Sequence, residues 1–342
     1  ICFSLTGYMT AEDLQKDLQG KGYTAEIYKK SKYLDDSIAE STGIWAGRHF
    51  ETDDAIIFVG ACGIAVRSIA PYVASKKSDP AVLVIDECGK FVISLLSGHL
   101  GGANELTLEV AELLGAVPVV TTATDLHHRF AVDVFAKKNC CGIQNMKAAK
   151  AVSAALLAGE PVGFYSEFPW TGKLPEGLEE SSEDTQDKPE IGIAVTIHPT
   201  CKPFTSTVQI IPRVVTLGMG CRRNKEADVI EKEASVCLAD ADIYSQAVEK
   251  LTSISIKKDE VGLQKLAEDW RIPFITFEEE ELSHAEGEFT PSEFVKKITG
   301  VNNVCERSAV LGAEQGRLIK NKTGRNGVTT ALALRNWEVH FE

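Results

Sequence analysis

The stretch at 94–107, SLLSGHLGGANELT, places a histidine, three glycines and an Asn-Glu pair directly before a helical pattern. The ordinary pKa of a histidine is about 6.5, so His99 could exchange a proton at neutral pH. It could equally form a hydrogen bond that only holds the loop in place. Glu105 could act beside His99 or cap the following helix, and Asp86 with Glu87 could be an acid–base pair or turn residues. The stretch therefore predicts a candidate acid–base site.

The three glycines of this stretch indicate that something lies close to the backbone. Gly98, Gly101 and Gly102 have no Cβ, so a bulky group could lie against the main chain there. Free backbone N–H groups in such a loop can hold a carboxylate or stabilise an oxyanion. Asn104 stands where the N-cap of the next helix is expected. We therefore expect a binding loop that leads into a helix N-terminus.

Further turns of the same kind follow other apolar runs. In doubly wound sheets, ligands bind on loops at the carboxyl ends of strands and at helix N-termini. The candidate turns are 60–63, 97–104 and 121–125 in the first part of the chain, and 218–224 in a later part. The residues that they add to the candidate site are Gly60, Gly63, Thr122, Asp125, Gly218 and Gly220.

Arginines in or beside these turns could bind an anionic ligand. Arg67, Arg222 and Arg223 carry guanidinium groups, which match carboxylates in a bidentate manner. Salt bridges within the protein are their alternative role. Cys62 and Cys221 also lie in strand-end turns, where a helix N-terminus can lower the pKa of a thiol, but no base stands next to either cysteine in the sequence.

The composition and motifs exclude several classes of protein. The formal net charge is −13, from 36 basic and 49 acidic residues, which argues against general binding to nucleic acid. A P-loop motif is absent, and Arg223 occupies the position where a dinucleotide fingerprint beginning at Gly218 needs its third glycine. Neither H-E-x-x-H nor C-x-x-C occurs, so we predict no metal site of the protein's own.

Cysteine usage and hydropathy predict the compartment. Nine cysteines are scattered through the chain, which is typical of reduced thiols. No apolar run approaches the roughly 18–20 residues that a membrane-spanning helix needs. The first residues lack the basic region and the cleavage site of a signal peptide. We therefore expect a cytoplasmic protein that does not bind a membrane.

Apolar runs and amphipathic stretches alternate along the chain. The runs AIIFV, AVLVID and VPVVTT within 1–125 are continuous and β-branched, which predicts a parallel sheet covered by helices on both faces. The pattern weakens over 126–212, and a second α/β pattern begins with VVTLGMGCRRN. We predict a multi-domain α/β chain, in which N-terminal and C-terminal three-layer α/β domains (1–125 and 213–342) have mainly parallel sheets and are joined by a smaller α/β middle domain (126–212).

Two blocks of this sequence resemble a known family. The stretch GACGIAVRSIAPYVASKKSDPAVLVIDECGKFVISLLSGHLGGANELT, followed by AVPVVTTATD, looks like the N-terminal domain of the CbiG family of cobalamin biosynthesis. The segments LGMGCRRN, TSISIKKDEVGLQKLAE, CERSAVLGA and LIKNKTGRNGVTTALAL are similar to the C-terminal domain of CobE and CbiG. The middle domain of the family is variable, which agrees with the weak pattern between the two blocks.

The resemblance implies an activity in the anaerobic, early-cobalt route to vitamin B12. The family is that of the cobalt-precorrin-5A hydrolases, which open the δ-lactone of a cobalt-bound, contracted macrocycle and release acetaldehyde to give cobalt-precorrin-5B. The implied partner is a large, flat, polycarboxylated small molecule derived from a tetrapyrrole. Its cobalt would travel in the substrate, so the resemblance implies no cofactor of the protein's own.

Lactone opening requires a base that activates water and donors that stabilise the developing oxyanion. We hypothesise that His99 is the base or acid, that Glu105 or Asp86 orients it, and that N–H groups of the 98–102 loop form the oxyanion site. These roles are inferred from the chemistry, because the resemblance locates the residues in motifs without assigning roles to them.

The carboxylate arms of the macrocycle need cations and polar groups around them. We expect Arg67, Arg222 and Lys257 to hold these arms. The full predicted substrate-binding set is Gly60, Gly63, Arg67, Gly98, Gly101, Gly102, Asn104, Thr122, Asp125, Gly218, Gly220, Arg222, Arg223, Lys257 and Glu306.

Other functions stay open on the sequence alone. A non-catalytic protein that binds a corrinoid intermediate and hands it over would use the same glycine loops and arginines. A nicotinamide-dependent oxidoreductase would use the two strand–glycine–helix turns, although Arg223 argues against it. A structural partner of a methyltransferase complex has no positive signal in the sequence, and transient contact with neighbouring methyltransferases of the pathway is a further hypothesis.

Overall fold

The computed structural model describes residues 1–75, 78–99, 101–122, 130–182, 187–291 and 300–341. The chain forms two compact units, Ile1–Val134 and Phe135–Glu342. Within the described ranges, no helix has the length and apolar character needed to cross a membrane. The division into three domains at 125/126 and 212/213 stays a prediction.

The first unit is built on one sheet with the strand order β1-β2-β3-β4. Its strands are β1 (Ala55–Val59), β2 (Ala81–Ile85), β3 (Phe91–Leu96) and β4 (Val117–Val119). Its helices are α1 (Leu5–Gly20), α2 (Thr42–Thr52), α3 (Cys62–Ile69) and α4 (Ala103–Leu114). Helix α5 (Val132–Lys138) includes the boundary between the two units.

Helices cover both faces of this sheet. Every residue of β2 is buried, and successive side chains of a strand point to opposite faces. Leu83 and Ile85 belong to a core cluster with residues of α1 and α4, whereas Val82 and Val84 belong to a second cluster with residues of α2 and α3. The three-layer architecture predicted for this part of the chain is therefore present.

The first sheet consists of two parallel strand pairs that run in opposite directions. Strand β1 pairs with β2 in parallel, β2 pairs with β3 antiparallel, and β3 pairs with β4 in parallel. The carboxyl ends of β3 and β4 therefore lie at the opposite edge of the sheet from those of β1 and β2. A five-residue strand separates the two edges by roughly 17 Å.

The second unit contains two larger sheets. The first has the order β5-β10-β9-β6-β8 and the second has the order β13-β12-β11-β15-β14. The strands of the first are β5 (Cys141–Gln144), β6 (Val162–Ser166), β8 (Leu178–Glu180), β9 (Ile191–Val195) and β10 (Ser206–Pro212), with helix α6 (Met146–Ala158) beside them. The short strand β7 (Trp170–Thr171) pairs with β16 (Val339–His340).

The second of these sheets carries the glycine-containing strand that the sequence singled out. Its strands are β11 (Val215–Cys221), β12 (Val248–Ile254), β13 (Phe274–Phe277), β14 (Arg317–Arg325) and β15 (Val328–Leu334). Its helices are α7 (Ala227–Asp240), α8 (Val261–Trp270), α9 (Glu279–Ser283) and α10 (Cys305–Gly312). Strands β11, β12 and β13 are parallel, and β15 and β14 join them as antiparallel partners.

Burial shows that this sheet is covered on both faces as well. The first five residues of β11 are all buried, although their side chains alternate between the two faces. In the preceding sheet, β10, β9, β6 and β8 pair in parallel, and β5 is the antiparallel partner of β10. The prediction of an α/β chain with mainly parallel sheets is confirmed.

Candidate active site

The described residues of the 97–102 loop, which are 97–99, 101 and 102, make a tight connection between β3 and α4. Ser97 and Gly102 both adopt left-handed backbone conformations, with φ of 60° and 81°. The N–H groups of Ala103 and Asn104 donate to the carbonyl oxygens of Ser97 and Gly98 at 3.1 and 2.9 Å. The strand thereby turns directly into the helix, and the loop is held by its own backbone.

Two glycines of this loop are explained by contacts within the protein. A Cβ on Gly98 would lie 2.7 Å from Oδ1 of Asn104, and a Cβ on Gly101 would overlap the side chain of Ser97. Gly102 supplies the positive φ that a residue with a side chain adopts less readily. The glycines therefore let the loop pack on itself.

Asn104 connects three parts of the site. It is buried, and its Oδ1 accepts a hydrogen bond from Ser94 Oγ at 2.6 Å. Its Nδ2 donates to Thr122 Oγ1 at 3.1 Å, so the end of β3, the start of α4 and the segment after β4 meet at one amide. The structure thus brings Asn104 and Thr122 together beside the glycine loop, while Asp125 lies outside the described residues.

His99 faces a carboxylate that the sequence did not single out. Its Nδ1 lies 3.4 Å from Oδ1 of Asp133, and both side chains are mostly buried, with 15% and 16% of their surface exposed. Asp133 stands in the first turn of α5, where its Oδ1 also accepts a hydrogen bond from the N–H of Val134 at 3.1 Å. An aspartate at Nδ1 can orient an imidazole and favour one tautomer, as in acid–base catalysts.

Of the two carboxylates proposed from the sequence, Asp86 lies away from His99, whereas the role of Glu105 beside His99 stays a prediction. Glu105 is exposed in the first turn of α4. Asp86 closes the turn between β2 and β3, where it accepts hydrogen bonds from the N–H groups of Cys88, Lys90 and Phe91 at 3.1, 2.8 and 2.6 Å. Because β3 runs antiparallel to β2, this turn is at the far edge of the sheet from His99.

Gly60, Gly63 and Arg67 share the edge that holds Asp86. The N–H of Gly60 donates to the carbonyl of Ile85 at 2.7 Å, which continues the pairing of β1 and β2. The guanidinium of Arg67 folds back over Gly63 at the start of α3, 3.2 Å from the position that a Cβ would take. Arg67 is exposed and forms no ion pair with a described residue. The sheet therefore separates this cation from the glycine loop of His99.

Gly218 and Gly220 lie inside a strand, not in a turn. Both belong to β11, which pairs with β12 and β15. A Cβ on Gly218 would overlap the carbonyl oxygen of Cys305 at the start of α10, and a Cβ on Gly220 would lie 2.8 Å from Thr329 Oγ1. The expectation of a glycine turn here is wrong, because these glycines allow α10 and β15 to pack closely on the strand.

Arg222 and Arg223 follow this strand directly and are exposed. The N–H of Arg222 donates to the carbonyl of Gly327 at 2.9 Å, and neither arginine forms an ion pair with a described residue. Lys257 follows the carboxyl end of β12, the strand that pairs in parallel with β11. Its Nζ lies 2.8 Å from Oε2 of Glu260. Two of the three cations expected at this edge are thus available for an anion.

The surroundings of two other candidates, Cys221 and Glu306, limit what each can do chemically. Burial raises the pKa of the Cys221 thiol to about 11, although Lys257 opposes the shift, so the thiolate is rare at neutral pH. The carboxylate of Glu306 is fully buried. Its hydrogen-bond donors are Thr290 N at 2.6 Å, Thr290 Oγ1 at 2.8 Å, Asn303 Nδ2 at 2.7 Å and Lys322 N at 2.6 Å. These contacts stabilise the fold around α10.

A mononuclear metal site would need several ligands at one place. In the part of the chain that the structure describes, no three His, Cys, Asp or Glu side chains are grouped in that way. The described cysteines are all free thiols. The groups that the structure places at the described part of the 97–102 loop include His99, Asp133 and the loop backbone.

The fold and the loop define an α/β protein whose candidate acid–base site lies at a strand-to-helix turn. Comparison with known proteins agrees with the sequence blocks noted above. The Cobalamin synthesis G N-terminal model matches residues 45–125, the Cobalamin biosynthesis central region model matches 130–212, and the Cobalamin synthesis G C-terminus model matches 215–333. The chain belongs to the cobalamin synthesis G family, CbiG.

Individual relatives show how far the similarity extends. The chain is 35% identical to the cobalt-precorrin-5A hydrolase of Salmonella typhimurium, over 97% of this chain and 96% of the relative. It is also 35% identical to the cobalt-precorrin-5A hydrolase of Priestia megaterium, over 83% and 79%. A crystal structure of a cobalamin biosynthesis protein G homolog from Sulfolobus solfataricus is 22% identical over 97% and 95%, with a TM-score of 0.40.

Proposed function

We propose that this chain hydrolyses cobalt-precorrin-5A, opening its δ-lactone and releasing acetaldehyde to give cobalt-precorrin-5B. The observation that carries the proposal is the match, along nearly the whole chain, to a relative of that name. The pairing of His99 with Asp133 adds a candidate proton acceptor at the glycine loop between β3 and α4. Both the lactone as the bond attacked and the acetaldehyde as the product are part of the proposal.

The first step is attack of water on the lactone carbonyl. Nδ1 of His99 faces Asp133, so Nε2 is the nitrogen that takes the proton from the attacking water. The carbonyl oxygen becomes an oxyanion, and the ring C–O bond then breaks. The departing alkoxide takes the proton from the imidazolium, which leaves a carboxylic acid and an alcohol on the macrocycle.

Backbone donors near His99 are available for the oxyanion. The N–H of Gly102 is used, because it donates to the carbonyl of His99 at 3.0 Å. The N–H groups of Gly98 and Gly101 donate to no described residue. These two groups are therefore the oxyanion donors in the proposed mechanism.

The second step releases the two-carbon fragment. The hydroxyl of the new alcohol gives its proton to a base, and the bond between the carbinol carbon and the macrocycle breaks. The electron pair of that bond stays on the conjugated ring, which then takes a proton, and the fragment leaves as acetaldehyde. No oxidant or reductant is needed, so one imidazole can serve both steps.

The exposed arginines are the proposed anchors for carboxylate arms. Arg222 and Arg223 in the second unit have no acidic partner among the described residues, and neither has Arg67 in the first unit, which lies at the opposite strand end from His99 and so could hold only an arm remote from the lactone. Lys257 could bind an arm only by exchanging its contact with Glu260. We further propose that cobalt enters with the substrate and that the protein has no cofactor of its own. The same proposal includes a cytoplasmic location and only transient contact with neighbouring methyltransferases.

The test is anaerobic incubation of the purified chain with cobalt-precorrin-5A, followed by trapping and quantifying acetaldehyde. We expect acetaldehyde in proportion to the macrocycle consumed, and we expect H99Q to release it about 10²–10⁴-fold more slowly. His49 offers a matched control, because its Nδ1 also faces an aspartate, Asp53, at 2.7 Å. H49Q should release acetaldehyde at the wild-type rate.

The same experiment separates the second candidate function. Bound pigment without acetaldehyde would identify a protein that binds and hands over the macrocycle. Full turnover by a folded H99Q variant would remove His99 from the mechanism while leaving the hydrolase function in place.

A further inference from the structure

The second unit contains a cleft that none of the sequence-predicted site residues line. Its volume is about 1200 Å³, which is larger than the roughly 300–1000 Å³ of sites for drug-sized ligands. The rings of Phe168 and Trp337 meet edge to face in its wall, with their centroids 5.2 Å apart. The lining comes from residues 167–169, 197, 198, 240, 241, 243, 317–320 and 334–338.

His198 lines this cleft and is held in one orientation. Its Nδ1 lies 2.7 Å from the carbonyl oxygen of Asp242. A carbonyl can only accept, so Nδ1 carries the hydrogen and the lone pair of the neutral ring is on Nε2. No described residue bonds to Nε2. A histidine that donates one N–H to a backbone carbonyl has the arrangement that metal-binding histidines adopt.

A lone histidine cannot hold a free metal ion. In the described residues, His198 belongs to no group of three or more His, Cys, Asp or Glu side chains that could hold a metal ion. It can, however, supply one axial ligand to a metal whose remaining ligands belong to a macrocycle, as the proximal histidine of a haem protein does. The size of the cleft and its aromatic wall suit such a flat ligand.

The cleft is lined by three acidic and three basic side chains besides His198. Each acidic side chain that lines the cleft has a partner within the second unit. These pairs are Glu167 Oε2 with Thr196 Oγ1 at 2.7 Å, Asp240 Oδ2 with Arg325 at 3.3 Å, and Glu338 Oε1 with His340 Nε2 at 3.9 Å.

Among the cations of the lining, Arg317 is the one open to a ligand. Lys320 donates to the carbonyl of Cys237 at 2.9 Å, and Arg335 contacts Glu249 at 3.2 Å. Arg317 is exposed and forms no ion pair with a described residue. A carboxylate that enters the cleft therefore meets an uncompensated guanidinium.

The geometry points to a binding site for a cobalt-chelating, carboxylated tetrapyrrole in this cleft, with Nε2 of His198 as an axial ligand of the cobalt and Arg317 on one carboxylate arm. The identity of the metal and of the ring rests on the proposed function. The site itself does not depend on catalysis at His99, so binding and turnover can be measured separately.

The test uses the full chain and cobyrinic acid reduced to Co(II), a corrin that carries carboxylates but no axial base. The unpaired electron of Co(II) lies along the axial direction, so one coordinated ¹⁴N splits each cobalt line of the electron paramagnetic resonance spectrum into a triplet. We expect this triplet with wild-type protein, and a doublet when the protein is labelled with ¹⁵N-histidine.

Variants assign the nitrogen to one residue. H198Q should bind the probe without the triplet, and adding imidazole to H198G should restore it. His284 is the matched control, because its Nδ1 also contacts a backbone carbonyl, that of Glu280, at 2.8 Å on an exposed surface. H284Q should keep the triplet, and R317Q should bind cobyrinic acid roughly tenfold more weakly.

Three results would overturn the inference: no binding of the probe, binding without axial nitrogen, or a triplet that persists in H198Q. If the triplet is lost in H99Q instead, the macrocycle is ligated in the first unit and the cleft is not its site. Acetaldehyde release by the wild-type chain in any of these cases would leave the proposed function intact.

Discussion

The carboxylate of Asp133 lies 3.4 Å from Nδ1 of His99, although a whole helix and a strand separate the two residues along the chain. The distance is longer than that of a good N–H···O hydrogen bond, so this is an electrostatic contact that can tighten when substrate binds. In the proposed mechanism, Asp133 takes the orienting role for which the sequence analysis offered Glu105 or Asp86. Asp133 is thus a positioning residue in the proposed mechanism.

A double-mutant cycle tests this relationship. We expect H99Q to lower kcat for acetaldehyde release by about 10²–10⁴-fold, because the proton acceptor is lost. D133N should lower kcat by about 10- to 100-fold with little change in KM, which is less than in a tightly bonded triad because the contact is long. The double variant should be no slower than H99Q alone, since residues that act as a unit are not additive.

The exposed Asp17 on α1 provides the matched control, and D17N should leave kcat unchanged. Independent, multiplicative effects of H99Q and D133N would contradict the assignment of Asp133. If urea unfolding shows a loss of stability in D133N that accounts for its loss of activity, Asp133 has a structural role instead.

Gly98 provides a second prediction, because its position is set by Asn104. A Cβ at Gly98 would lie 2.7 Å from Asn104 Oδ1, and Asn104 is buried with hydrogen bonds to Ser94 and Thr122. G98A should therefore cost about 1–3 kcal/mol in the free energy of urea unfolding. Gly20 ends α1 with nothing within 4 Å of its Cβ position, so G20A should change stability by less than about 0.5 kcal/mol.

Equal stabilities of G98A and G20A would show that the loop can shift away from Asn104. Loss of macrocycle binding in a G98A variant of normal stability would support the earlier interpretation, in which the glycine makes room for a ligand.

The sequence predicted the layers and the loop well because those depend on local patterns. Continuous β-branched runs indicate buried strands, and a glycine-rich turn before an amphipathic stretch indicates a strand-to-helix connection. Asn104 was expected at the N-cap, but the N-cap of α4 is Gly102, and the side chain of Asn104 instead bonds to Ser94 and Thr122. The layers and the loop need only neighbours in the sequence, so composition and spacing suffice for them.

The spacing of the sequence also determines the direction of β3. Only the five residues 86–90 separate β2 from β3, and Gly89 among them has a φ of 65°. A parallel connection needs a crossover of about a dozen residues or more, so this spacing requires a hairpin. The hairpin places Asp86 at the far edge of the sheet, which removes it from His99.

Tertiary contacts account for the site features that the sequence did not predict. Asp133 reaches His99 only because α5 packs there, and the sequence between them has no regular pattern that fixes that approach. Gly218 reads as a turn glycine, but its partner is the carbonyl of Cys305, far along the chain. His198 lacks any motif around it, and its tautomer is set by a backbone carbonyl.

A third prediction concerns the pH dependence of stability at Glu260. Burial alone would raise the pKa of this carboxyl, but the hydrogen bond and charge of Lys257, with the amides of Lys225 and Asn224, lower the pKa below 4.5. The ordinary pKa applies in the unfolded chain, so the stabilisation is present above about pH 4.5 and is lost as the pH falls through the lower folded value.

Glutamine keeps the shape of Glu260, but E260Q removes the charge and replaces one of the two oxygens that accept from Lys225 N and Lys257 Nζ by an NH2 donor. At pH 7, E260Q should be less stable than wild type by about 1–3 kcal/mol in urea unfolding, and the difference should shrink as the pH is lowered below 4.5. Glu268 on the exposed face of α8 is the control, and E268Q should match wild type throughout. A difference that stays constant with pH would show that the contact stabilises through packing alone.

A fourth prediction decides whether Gly218 serves packing or binding. A Cβ at this position would overlap the carbonyl oxygen of Cys305 and lie 2.8 Å from the Cβ of Ala309. Because the backbones of α10 and β11 meet here, neither can give way without separating the helix from the strand. G218A should therefore cost about 3 kcal/mol or more in urea unfolding, or fail to fold. Gly324 in β14 has an ordinary contact of 3.6 Å, so G324A should fold and lose less than about 1 kcal/mol.

Hydrogen exchange of the α10 amides is a second measurement in which G218A and G324A should differ. Packing predicts that G218A raises exchange across α10 while G324A does not, because only Gly218 contacts the first turn of that helix. A G218A variant with wild-type stability and protected α10 amides, but weakened binding of cobyrinic acid, would return Gly218 to the ligand site. The close approach of Cys305 argues against that result, since any added atom at Gly218 meets the helix before it can meet a ligand.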